Sequence, residues 1–169
     1  MKIRFENEAD LQAIETITYQ AFENHPHHEP GAKPSEHLIV NGLRESGALT
    51  LSIVAEHETG IVGHIAFSPV KIAGESRSWF GLGPVSVKPK YQGKGIGSQL
   101  ILAGLSELVS QGAEGVVLLG EPEYYTRFGF RAESKLTFPG VPAEYFLAKV
   151  LTSSPLPEGE VSYHEAFNV

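Results

Sequence analysis

Residues 82–109 read LGPVSVKPKYQGKGIGSQLILAGLSELV, and the rest of the chain is organised around them. The stretch starts as a short strand, passes through a glycine-rich turn and continues as an amphipathic helix. In the turn Gly93, Gly95 and Gly97 alternate with Lys94, Ile96 and Ser98, so every second residue lacks a Cβ. Such a turn lets backbone N–H groups converge on one point without steric cost. It leads directly into a helix, whose first N–H groups have no intrahelical partner and whose dipole is positive at that end. Together these features make a seat for a phosphate or pyrophosphate.

The spacing of the glycines separates the kinds of phosphate site. The nucleoside-triphosphate loop G-x-x-x-x-G-K-[ST] does not occur, and the dinucleotide fingerprint G-x-G-x-x-G fails because the glycines fall at alternate positions. The pattern that fits is Q-x-x-G-x-G, at Gln92, Gly95 and Gly97. Upstream, Gly83-Pro84 stands just before Val85-Ser86-Val87. Proline has no N–H, so a central strand holds it only at a bulge, an edge or its first residue. A bulge here would bend the strand from its neighbour and leave backbone groups of Val85 and Val87 free for an extended, amide-bearing ligand. From residue 77 to residue 106 the charged residues are Arg77, Lys88, Lys90 and Lys94, all basic, in a chain whose net charge is −7. This local reversal favours an anion. Further on, Glu121 and Pro122 start a short helix that carries Tyr124-Tyr125-Thr126-Arg127-Phe128-Gly129-Phe130.

Q-x-x-G-x-G followed by Tyr, three residues and Gly-Phe resembles the GNAT superfamily of N-acetyltransferases. The resemblance is to small stand-alone bacterial-type members with an LGP…YQGKGIG…YYxRFGF pattern, and it covers roughly residues 49–151. It implies an α/β (α+β) fold, a mixed central sheet of about six to seven strands splayed at a β-bulge and flanked by about four helices. A single domain over residues 1–169 is expected, with 152–169 as a C-terminal edge strand or tail. The resemblance further implies acetyl-CoA as cosubstrate, no metal, and direct attack of a primary amine in a ternary complex without an acetyl-enzyme. By its motifs the pantetheine arm would run along Val85, Ser86 and Val87. The pyrophosphate would sit on Gln92, Gly93, Lys94, Gly95, Ile96, Gly97 and Ser98. Tyr125 falls at the family's general-acid position. Attack on the thioester expels a thiolate, and a phenol of pKa about 10 is near the thiol in acidity.

Composition agrees with an enzyme of this kind. At 169 residues the chain is long enough for one domain that buries roughly 70% of its unfolded surface. The negative balance and a pI near 5.5 argue against nucleic acid as partner. There is no cysteine, which removes disulfides, thiolate metal sites and cysteine nucleophiles. No apolar run approaches membrane length, so a cytoplasmic protein, monomer or homodimer, is expected. The resemblance implies a small-molecule or peptide amine as acceptor, and an acidic chain slightly favours a cationic one.

Along the chain, residues 2–5 alternate as a strand, and Asn7 to Asp10 open a helix with Leu11, Ile14, Ile17, Tyr19, Ala21 and Phe22 at helical spacing. His25, His27, His28 and Glu29 invite a metal, but two prolines, no i, i+4 spacing and no fourth ligand favour a substrate-side loop. Pro34-Ser35-Glu36 starts a second helix with Leu38, Ile39, Gly42 and Leu43 inward. Residues 49–56, 61–72 and 79–87 read as strands. After the glycine turn the helix stripe is Ile101, Leu102, Leu105, Leu108 and Val109. Residues 115–119 read as a strand buried on both faces, and 145–151 as a last internal strand. Tyr124 is expected in the core. For the general base Glu121, Glu56 and His64 stay open, since 79–87 carry no carboxylate. Two other functions stay open as well: an acyl-CoA-binding sensor without turnover, and a nucleotide-binding enzyme.

Overall fold

The computed structural model describes residues 1–23 and 31–169, so the histidine-rich stretch of residues 25–29 lies outside the described residues. The chain divides into two compact units. One comprises Met1–Phe67, Gly83–Gly104 and Glu165–Val169; the other comprises Ser68–Leu82 and Leu105–His164.

In the first unit the alternation of residues 2–5 becomes strand β1 (Lys2–Phe5). It runs antiparallel to β2 (Leu51–His57) from Lys2↔Glu56 to Phe5↔Ile53. Strand β3 (Gly60–Ile72) pairs with the other side of β2, with Leu51 opposite Phe67. Helix α1 (Leu11–Phe22) follows a capping box at a 3₁₀ turn. The Asn7 side chain accepts from the Ala9 N–H at 3.0 Å, and Asp10 accepts from the Asn7 N–H at 2.8 Å. Arg4 grips both oxygens of Asp10 at 2.7 and 3.0 Å and reaches Glu56 at 3.2 Å, so strand and helix start are tied by one guanidinium. Helix α1 buries Ile14, Ile17 and Thr18, and α2 (Glu36–Glu45) buries Ile39, Val40 and Leu43. Ile14, Val40 and Val54 meet in one cluster. Leu38, expected inward, is 47% exposed, because the buried stripe of α2 runs through Val40.

In the second unit β4 (Glu75–Val87) begins after the Ala73-Gly74 turn, and β5 (Gly115–Leu119) lies between β4 and β8 (Phe146–Val150). The β4–β5 pair is parallel and the β5–β8 pair antiparallel, which makes the sheet mixed. The indole of Trp79 lies over Gly115, where a Cβ would collide with it. Around it Val70, Ile72, Val117, Leu136, Phe146, Ala148 and Val161 form an apolar core. The last strand, β9 (Gly159–Tyr163), pairs with the end of β3 and also with β7 (Leu136–Thr137); β6 (Arg131–Ala132) pairs with β8.

Helix α3 (Ile96–Ser110) contributes residues to each unit. Its buried residues are Ile96, Leu100, Ile101, Leu105 and Leu108, with Gly104 flat beneath the Phe67 ring. Leu102 and Val109, expected in the inward stripe, are 56% and 55% exposed. They are seven residues apart and therefore share one side of the helix, and the phase set by Leu100, Ile101, Gly104, Leu105 and Leu108 turns that side outward. Gly112, at φ +79°, ends the helix as expected: the Ala113 N–H reaches back to the Leu108 carbonyl at 3.0 Å.

Candidate active site

Strand β4 changes character at Gly83-Pro84. The β4–β5 ladder runs Trp79↔Gly115, Phe80↔Val116 and Gly81↔Val117, and stops there, while β4 continues to Val87. Two residues later Gly83 takes φ +135°, a conformation closed to side chains, and its peptide to Pro84 is cis. The expected departure of the strand from its neighbour is thus present. Beyond it Val85 and Val87 are half-buried, and the Ser86 side chain is buried with no hydrogen-bond partner.

A 3₁₀ turn at Pro89–Tyr91 leads from β4 into the glycine loop. The Gln92 side-chain amide donates to the Val87 carbonyl at 3.0 Å and folds the loop back on the strand end. Tyr91, which the sequence reading passed over, braces the same loop: its hydroxyl lies 3.3 Å from Thr59 Oγ1, its ring centroid 5.4 Å from that of His57, and Lys94 Nζ sits 5.4 Å above the ring. Gly93 and Gly95 take φ +76° and +82°, and nothing lies within 4 Å of where a Cβ would stand on either. The glycines are there for backbone conformation, and the space above them is open. A helical bond runs from the Gln99 N–H to the Gly95 carbonyl at 3.1 Å, so the N–H groups of Ile96 and Gly97 stand ahead of the helical ladder. Lys94 is exposed and Lys88 half-buried. Arg77 is engaged elsewhere, by Glu114 at 3.1 Å.

Tyr125 ends α4 (Pro122–Tyr125), where the N–H groups of Tyr124 and Tyr125 both donate to the Glu121 carbonyl at 3.1 Å. Its ring packs edge-on to Tyr124 (4.9 Å between centroids) and Phe130 (6.1 Å). Burial, with a smaller push from Tyr124, raises its phenol to about 12. Tyr124 is half-buried, with the Arg127 guanidinium 4.6 Å over its ring; it is a wall beside Tyr125 and not the core residue expected. Gly120 was missed at first sight. A Cβ there would overlap the Tyr125 ring.

The three carboxylate and imidazole groups considered as bases differ sharply. Glu56 accepts from Arg4, and Glu121 is exposed at the start of α4. His64 is fully buried: its Nε2 lies 2.7 Å from Ser52 Oγ, which donates to Glu6, which Arg44 holds at 2.8 and 3.2 Å. Burial, aided by Arg44 and opposed by Glu6, pushes His64 down to about 4. An imidazole that weak cannot take a proton from an ammonium. Helices α1 and α2 enclose a groove of about 510 Å³, with Glu15, Tyr19, Glu23 and His37 on its walls and no lysine or arginine among its described lining. Among the described residues no group of three His, Cys, Asp or Glu is placed to hold a metal, and no helix is long and apolar enough to cross a membrane.

Residues 49–132 match the model of the acetyltransferase (GNAT) domain. The uncharacterized N-acetyltransferase YhbS of Escherichia coli K12 is 35% identical over 99% of both chains. The crystal structure of YhbS in complex with CoA superposes with a TM-score of 0.89 at 36% identity, covering 99% of this chain and 92% of that one. A GNAT family acetyltransferase from Brucella melitensis, in complex with acetyl-CoA, superposes with a TM-score of 0.84 at 44% identity, covering 98% and 97%.

Proposed function

This chain belongs to the GNAT family of acetyltransferases and is an N-acetyltransferase, and from that premise we propose that it moves the acetyl group of acetyl-CoA onto a primary amine by direct attack in a ternary complex. Residues 1–169 serve as one functional domain, as the near-complete overlap with relatives supports.

One observation carries the reading: a glycine loop with Gly93 and Gly95 at positive φ opens a helix whose first N–H groups precede its ladder, directly after a strand whose pairing with β5 has stopped. The N–H groups of Ile96 and Gly97 hold the pyrophosphate, with Gly93, Gly95 and Lys94 shaping and charging the loop. The backbone of Val85, Ser86 and Val87 takes the pantetheine amides as an added strand would. Gln92 serves through the bond it makes to Val87.

The amine nitrogen forms the new C–N bond, the C–S bond breaks, and the sulfur leaves as thiolate. Tyr125 gives that sulfur its proton, and the proton shed by the amine nitrogen restores the phenol. Its acidity suits this order. At about 12 the phenol is fully protonated throughout the physiological range. The burial that raises it would raise a thiolate beside it too, so the two stay comparable. Glu56 is taken by Arg4, Glu121 is exposed and His64 is buried and weakened, so an ammonium acceptor gives its first proton to water before attack, and the second, shed from nitrogen after attack, is the one that restores the phenol. The groove between α1 and α2, with Glu15 and Glu23 beside two aromatic rings, supports a cationic acceptor.

The test is calorimetric acetyl-CoA binding followed by free-thiol release against a panel of primary amines. Binding with release on some amines is expected. Binding without release on any acceptor would favour a sensor, and absence of binding would overturn the loop assignment.

A further inference from the structure

We propose that Gly120 is the positioning residue for Tyr125, holding the phenol in place by having no side chain; this rests on the reading of Tyr125 as the acid. A Cβ at Gly120 would stand 2.8 Å from Cδ2 of the Tyr125 ring, closer still to Cε2, and 3.2 Å from a Leu118 methyl. The phenol ring therefore lies in the volume that any other residue at 120 would fill. Backbone conformation does not explain the glycine, because Gly120 is absent from the positions with positive φ. Alanine fits the backbone there, and its nearest conflicts are with the ring and with Leu118.

Neither partner is free to withdraw. The Gly120 N–H donates to the Tyr145 carbonyl at 2.9 Å, which pins it to the segment entering β8. The Tyr125 N–H is held by Glu121 at 3.1 Å, and the Tyr125 carbonyl accepts from the Phe130 N–H at 3.3 Å. Phe128 (6.3 Å between centroids), Phe130 (6.1 Å) and Tyr124 (4.9 Å) flank the ring. What remains is rotation about the side-chain bonds, which swings the hydroxyl, the atom farthest from the backbone. A displacement of about 1 Å at a reacting group costs on the order of 100-fold in rate. The position thus controls turnover through geometry while touching no substrate atom.

The experiment is a double-mutant cycle of Gly120→Ala and Tyr125→Phe, read as kcat for thiol release and as acetyl-CoA Kd. Gly120→Ala is expected to lower kcat by about 10- to 100-fold with Kd within about 2-fold, and to add less than about 2-fold in the Tyr125→Phe background. An unchanged kcat in Gly120→Ala, or an equal loss in both backgrounds, overturns the proposal. Tyr125→Phe at full turnover overturns the acid assignment and this proposal with it; that arm carries no change at Gly120, so the two failures are told apart. If Gly120→Ala alone does not fold, Gly120→Ala/Tyr125→Leu, which removes the ring, is expected to fold. Failure of that variant too would overturn the steric account.

Discussion

The Gln92 carboxamide donates to the carbonyl oxygen of Val87 across 3.0 Å. The glutamine of the Q-x-x-G-x-G motif thereby acts on the shape of the loop, joining the strand end that takes the pantetheine arm to the turn that takes the pyrophosphate. A ligand that spans both halves depends on their spacing more than on either alone.

Gln92→Ala therefore loosens the cosubstrate seat without touching the chemistry. Gln92 is exposed, and an intramolecular hydrogen bond contributes about 0.5–1.5 kcal/mol net. Expressed as affinity this is roughly 2- to 10-fold weaker acetyl-CoA binding, with kcat at saturation nearly unchanged. Calorimetry on the variant checks it, and an unaltered Kd would remove Gln92 from the account.

Gly95→Ala separates backbone strain from function. A side chain at φ +82° costs about 1–2 kcal/mol, and here no neighbour adds a clash. Gly74 supplies the control, with φ +76° in the turn before β4 and nothing within 4 Å of where its Cβ would stand. Both variants should lose similar amounts in Tm, and only Gly95→Ala should weaken acetyl-CoA binding, by at least about 10-fold (~1.4 kcal/mol). Equal binding in the two would show that the loop needs no left-handed glycine for its ligand.

Much of this was legible in the chain because glycine and proline are conformational statements: Gly83-Pro84 marks the end of the β4–β5 ladder, and Gly93 and Gly95 mark the turn. Facing was less legible. Leu102 and Val109 are as apolar as Leu100 and Leu105, and only packing around Gly104 and Phe67 fixes which side of α3 is buried. Pairings across long sequence separations left no local trace either. Arg77 counted toward a basic patch until Glu114 was found beside it, and nothing near His64 in the sequence announces Glu6, Arg44 and Ser52. Gly120 had a signal of a kind, a glycine five residues before the tyrosine, but its meaning needs the ring's position.

Tyr125→Phe should leave acetyl-CoA affinity intact and lower kcat by about 10²- to 10⁴-fold, the range of a lost general acid. The pH profile adds a sharper criterion. An acid must be protonated to act, and burial moves this phenol from 10 up to about 12. The wild-type rate should therefore show no decline attributable to Tyr125 near pH 10. A fall centred there that vanishes in Tyr125→Phe would contradict the buried phenol.

His64 should make the protein sensitive to mild acid. Glu6 is held ionised: burial raises its pKa, but hydrogen bonds from Arg44 and Ser52 outweigh that and leave it lowered. Ser52 must then spend its one proton on Glu6, so it accepts from His64, whose hydrogen is on Nε2. Protonating Nδ1 as well would place a cation in a fully buried site near Arg44. The folded pKa of about 4 lies below the unfolded value of 6.5. This stabilisation is whole above pH 6.5 and is lost as the pH falls toward 4, up to on the order of 3 kcal/mol. Urea denaturation at pH 7.5 and pH 5 measures it. The wild type should lose more stability between those values than His64→Gln, which cannot titrate. Equal losses in the two proteins would take His64 out of the account; Asp10 and Glu6, lowered from 3.8 and 4.5, withdraw their stabilisation only at lower pH, below the range of this comparison.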